Sequence, residues 1–114
     1  EYNQKYYYYK IHYFPKLYAF LKTVPCVNHA TIAVMEGTMS IPAHRAESNL
    51  QLRYHLTLEG TSNLTTEFDI HQHKPGEDVL FDHSRYHGVD KTDEEKRVVL
   101  ILDINRFYKF PCIK

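Results

Sequence analysis

The chain has 114 residues and a mass of 13.6 kDa, the length of one domain and enough to bury a core. Apolar residues make up 43% and charged residues 25%, which excludes a disordered or collagen-like chain. Fourteen basic and fourteen acidic side chains cancel, which argues against a nucleic-acid or anionic-membrane grip, and no apolar run reaches the ~18–20 residues of a membrane span.

The first residues are polar and tyrosine-rich, unlike a signal peptide, and the run Tyr6 to Tyr9 is expected to serve as core. The first residue is Glu1 rather than Met, as in a piece of a longer protein. Pro15 opens a predicted helix whose stripe Leu17, Phe20, Leu21 and Val24 packs on a sheet, and Pro25 closes it. Cys26 and Cys112 lie near opposite ends, outside any Cys-x-x-Cys pattern, and are read as two structural thiols that leave the redox compartment open. His12 and His29 are read as surface residues, and Asn63-Leu64-Thr65 is a glycosylation triplet that decides nothing alone.

From residue 30 the pattern turns to short strands. Ala30 to Met35 is apolar and β-branched and ends at Glu36-Gly37. Pro42 marks an edge or a strand start just before His44. Between residues 50 and 58, Leu50, Leu52, Tyr54, Leu56 and Leu58 point one way, and Arg53 and His55 share the other face. Phe68 to His71 predicts a strand, with His71 and His73 on a solvated face; Pro75-Gly76 turns, and Val79 to Phe81 forms a short strand. The charges from Lys91 to Lys96 read as a solvated loop, and Arg97 to Ile104 as a strand buried on both faces. Short strands after one helix predict a sandwich or small barrel, not a parallel α/β sheet.

Eight histidines are many for a neutral chain. They are either scattered surface or an acid/base or metal site. His44, His87, and the inward arginines Arg53 and Arg97 together suit a metal with an anionic organic ligand, since imidazole binds iron, zinc and copper and guanidinium forks onto carboxylate. A buried Arg53 in particular needs an anionic partner.

The texts Ile41-Pro42-Ala43-His44-Arg45, Leu52-Arg53-Tyr54-His55-Leu56, Val79-Leu80-Phe81-Asp82-His83-Ser84-Arg85-Tyr86-His87 and Arg97-Val98-Val99-Leu100-Ile101-Leu102-Asp103 carry a resemblance. In order and spacing they resemble the aspartyl/asparaginyl β-hydroxylase family of iron(II)- and 2-oxoglutarate-dependent oxygenases, over residues 14–106. The resemblance implies an all-β fold with a short N-terminal helix, a double-stranded β-helix (jelly-roll, cupin-like). It implies iron(II) on His44 and His87, Arg53 and His55 on the carboxylate next to the keto group of 2-oxoglutarate, and Arg97 on its far carboxylate. Dioxygen is the oxidant, and the expected reaction is hydroxylation of an unactivated carbon. The leading substrate is the β-carbon of Asp or Asn in a protein or peptide, with a lipid or small molecule as the alternative. No nucleic-acid partner is expected.

The sequence departs from the wider oxygenase pattern at Ala46, where a carboxylate ligand often stands; the subgroup acting on protein side chains also lacks it, and Glu47 would point away. A serine that helps hold the far carboxylate in well-studied members is replaced by Ala33 or Ile32. His83 falls where the family often has an acid, and Asp82 is expected to hold the loop presenting His87. Residues 1–114 are expected to form one domain lacking part of the family's N-terminal region. Two other readings remain: a non-catalytic barrel that binds a partner, and a cupin-type centre using His44, His55 and His87 on one metal. The compartment and oligomeric state are left open.

Overall fold

The computed structural model describes residues 5–47, 49–67, 69–82, 84–91 and 95–106. The described chain forms strand β1 (Lys5–Lys10), a 3-10 turn (Ile11–Tyr13), helix α1 (Pro15–Leu21) and eight further strands. These are β2 (Val27–Glu36), β3 (Met39–His44), β4 (Gln51–Glu59), β5 (Ser62–Thr66), β6 (Ile70–His73), β7 (Asp78–Phe81), β8 (His87–Lys91) and β9 (Arg97–Asn105). They pair into a five-stranded sheet, β1-β2-β9-β4-β7, and a four-stranded sheet, β3-β8-β5-β6, antiparallel throughout. This is the two-sheet, cupin-like all-β architecture expected from the sequence.

The larger sheet is apolar on both faces, and the faces do different work. Ile32, Val34 and Leu100 form an outer cluster that the 3-10 turn and α1 cover through Ile11 and Leu17. Ala33, Val99 and Ile101 face the opposite way, into the space between the sheets. Leu64 and Val89 of the smaller sheet meet Phe81 of the larger one there. β9 lies between β2 and β4, so its double apolar pattern reflects burial on both sides.

Helix α1 has Pro15 in its first turn but stops at Leu21, four residues before Pro25. Leu17 and Val24 are drawn inward, whereas Phe20 is 56% exposed, so the predicted stripe is narrower than its spacing suggested. Three further expectations are corrected. Tyr7, Tyr8 and Tyr9 are exposed, on a strand at the edge of its sheet. Cys26 is buried and disulfide-bonded, not a free thiol; Cys112 lies outside the described residues. Lys91 is buried at the end of β8, where its Nζ donates to the Gly37 carbonyl at 3.0 Å.

Candidate metal and cosubstrate site

The interior of the barrel is built by strand alternation. On β4, Leu52, Tyr54 and Leu56 face outward while Arg53, His55 and Thr57 face in; Thr57 is fully buried and His55 nearly so. On β9 the inward residues are Arg97, Val99, Ile101 and Asp103; the last three stand opposite Thr57, His55 and Arg53 of β4, and Arg97 opposite Met35 of β2. Arg97 is 1% exposed, and its guanidinium reaches the Thr57 hydroxyl at 3.4 Å and the Met35 sulfur at 3.7 Å. Gly60 makes this placement possible: it sits at φ +79°, and a Cβ there would lie 2.5 Å from the Lys96 carbonyl and 2.9 Å from the Arg97 Cα.

Arg53 finds its anion inside the protein. Its Nε donates to Asp103 Oδ1 at 3.0 Å, from the residue directly opposite on β9. His55 meets the edge of Phe81 with ring centroids 5.0 Å apart. Burial, then the charges of Arg97 and Arg53, push its pKa well below the usual histidine value, so the ring is neutral.

His44 and His87 stand directly opposite each other on β3 and β8, with ring centroids 4.4 Å apart. Each is aimed by the same device. Nδ1 of His44 lies 2.9 Å from the Pro42 carbonyl, and Nδ1 of His87 lies 2.8 Å from the Arg85 carbonyl, both two residues upstream. A carbonyl accepts only, so each Nδ1 carries a proton, and Nε2 is the atom that a neutral ring would offer to a metal. Such a carbonyl-oriented imidazole is the usual form of a metal-ligating histidine. Two local features bring the strands together. The register of β3 shifts between Ile41 and His44, around Pro42. Gly88 then lets β8 approach, since a Cβ there would be 2.8 Å from the Ile41 carbonyl.

The loop before His87 is fixed by Asp82, as anticipated. Its carboxylate accepts from the Ser84 hydroxyl at 2.6 Å and the Ser84 N–H at 3.0 Å, and pairs with Arg106 at 2.5 Å. Burial alone would raise the Asp82 pKa, but the bonds from Ser84 and Arg106 outweigh it and hold the value at about 2. A cavity of about 420 Å³ opens beside His87, lined among others by His71, Phe81, Arg85 and Tyr86. Rings run inward from it in contact, His44 to His87 to Phe81 to His55.

A family model described as aspartyl/asparaginyl beta-hydroxylase matches residues 3–107, nearly the whole chain. The protein belongs to the aspartyl/asparaginyl β-hydroxylase family. No curated protein matches it. Solved structures share its fold at low identity. The DMSP lyase DddQ of Ruegeria pomeroyi superposes with a TM-score of 0.60 at 16% identity, over 74% of this chain and 41% of that one. The Cnp3 cupin domain of Schizosaccharomyces pombe gives 0.60 at 13%, over 73% and 65%. A predicted oxalate decarboxylase of Thermotoga maritima gives 0.59 at 14%, over 77% and 72%. The chain thus spans less than half of the DMSP lyase.

Within this β-hydroxylase-family domain, the five residues singled out from sequence fall into two groups. His44 and His87 meet beside the cavity; His55 packs on Phe81, Arg53 stands opposite Phe81 on the neighbouring strand, and Arg97 is buried beside Thr57. Among the described residues, no group of three or more His, Cys, Asp or Glu is arranged to hold a metal. Ala46 offers no donor atom, Glu47 is exposed, and His83 lies outside the described residues.

Sequence reasoning missed His73. Expected on a solvated face, it is 2% exposed, and only His71 on that face is open. Burial, then the Arg97 and His71 charges, lower its pKa against a smaller opposing pull from Glu77. The alternation of β6 fixed which residues share a face but not that this face turns into the barrel. The apolar Leu64 opposite His71 was the available signal.

Proposed function

We propose that the protein is an iron(II)- and 2-oxoglutarate-dependent dioxygenase that hydroxylates an unactivated carbon, with the β-carbon of Asp or Asn in a protein or peptide as leading substrate. The observation that carries the reading is the His44–His87 pair, two imidazoles 4.4 Å apart whose Nδ1 protons are both taken by backbone carbonyls. Two imidazole nitrogen donors suit a divalent transition metal, and water would stand where a carboxylate ligand stands elsewhere. When bound, iron(II) would supply dioxygen activation coupled to decarboxylation of 2-oxoglutarate, giving succinate, carbon dioxide and one oxygen atom inserted into the substrate C–H bond.

The protein's own residues then bind and orient. Arg97 is a buried guanidinium beside Thr57, and its fork geometry would hold the far carboxylate of the keto acid. His55 is neutral and, with Arg53, orients the carboxylate beside the keto group; the Asp103 bond to Arg53 Nε leaves the two terminal nitrogens to donate. Phe81 touches both His55 and His87, giving the reacting end an apolar wall that helps exclude water. A three-histidine centre is less well supported, because among the described residues no three His, Cys, Asp or Glu side chains are arranged to hold one metal.

With iron(II) and 2-oxoglutarate added, the wild-type chain should release succinate, and His87→Ala should lower the rate by about 100-fold or more. Tight iron binding without turnover would overturn the proposal and favour a binding module. A gain of one oxygen atom on an Asp- or Asn-containing peptide, read by mass spectrometry, tests the substrate.

A further inference from the structure

The barrel interior holds polar atoms that the preceding assignments leave unused. His73 is 2% and Ser62 6% exposed. Neither ring nitrogen of His73, nor the Ser62 hydroxyl, has a hydrogen-bond partner among the described residues. The two residues are direct partners across β5 and β6, so their side chains stand side by side on one face. That face turns inward, since Leu64, two residues after Ser62, packs against Phe81 of the other sheet.

Burying a polar group without a partner costs about 1–3 kcal/mol, so native proteins rarely tolerate several together without a reason. Three such atoms at two adjacent positions describe a site shaped for something else. Across the chamber lies Arg97, close enough for its charge to act on His73. On the β2 side, Ala33 is fully buried and brings no hydrogen-bonding group.

We infer that His73 and Ser62 form a second carboxylate anchor, donating an imidazole N–H and a hydroxyl to the same far carboxylate that Arg97 holds. The inference rests on the proposed 2-oxoglutarate dependence. A carboxylate accepts about four hydrogen bonds, so an arginine from one sheet and a histidine–serine pair from the other saturate it. The ring stays neutral beside Arg97 and still offers one N–H. The anchor selects keto acids with a second carboxylate over monocarboxylates.

Calorimetry on the whole chain with manganese(II) tests this, using 2-oxoglutarate and 2-oxobutyrate, which lacks the far carboxylate. His73→Leu should weaken 2-oxoglutarate binding about tenfold and leave 2-oxobutyrate unchanged. His73→Gln, which keeps a donor, should stay within about threefold of wild type. The ligand-free His73→Leu protein should melt at or above the wild-type temperature, because an unsatisfied buried group has been removed; a purely structural histidine would give a lower one. Should His73→Leu not fold, Ser62→Ala gives the same comparison with an expected loss of about threefold. Wild type binding 2-oxoglutarate with unchanged affinity in these variants overturns the anchor alone. Wild type failing to bind it overturns the proposed function as well.

Discussion

Asp82 shows how a single side chain can govern the site without touching it. It gathers Ser84, Arg85 and Arg106 around one carboxylate, and the resulting turn carries His87 to its place opposite His44. Its folded pKa of about 2 lies below the ordinary 3.8, so the stability it contributes is complete above 3.8 and is lost as pH falls towards 2. At a quarter exposed, with partial solvent screening, that contribution is about 1–2 kcal/mol. The gap in denaturant midpoint between wild type and Asp82→Asn should therefore be widest above pH 4 and close by about pH 2. The Asp82 turn, and the meeting of His44 with His87, were legible because residue types and spacings match a pattern. His73 was not, because a strand's two-residue period says which side chains share a face and nothing about what that face looks at. Lys91 was misread for a related reason: charges in a row look like a solvated loop until one of them is seen under the Gly37 carbonyl.

The decisive elements are the pair β3 and β8. β3 is an edge strand, interrupted at Pro42, and yet it carries half of the histidine pair. Only a glycine at 88 lets its neighbour come near enough. In Gly88→Ala the new Cβ meets backbone at 2.8 Å from the Ile41 oxygen and 3.2 Å from the Ala43 nitrogen, so a strand must move. The expected result is a stability loss of about 1–3 kcal/mol in urea unfolding. Manganese(II) affinity should fall about tenfold or more, because the two rings no longer face each other. Equal affinity in the variant would mean that the rings do not share an ion. At this scale β4, β7 and β9 were legible, through alternation or sustained apolar runs. It hid β5 and β8, whose polar outward residues and short length resemble loop text, although Leu64 and Val89 anchor both strands in the core. The Cys26 disulfide was hidden too, since distance along the chain carries no information about distance in space.

The larger sheet carries apolar clusters on both faces but polar site residues on the inner one alone. The outer cluster of Ile32, Val34 and Leu100, roofed by Ile11 and Leu17, contains no polar site residue. The interior combines Ala33, Val99 and Ile101 with Arg97, His55 and His73. Leu100→Ala should accordingly cost about 2–4 kcal/mol in chemical unfolding and leave 2-oxoglutarate and manganese(II) affinities unchanged wherever the protein is folded. A shift in either affinity would show that the two sides communicate through β9. This division has a wider meaning for what such a barrel can become. Because one apolar cluster lies wholly outside the polar interior, the inward polar side chains can be rewritten while that layer endures. A lyase, a cupin domain and a predicted decarboxylase share this outline at 13–16% identity, as expected of a vessel whose walls do not depend on its contents.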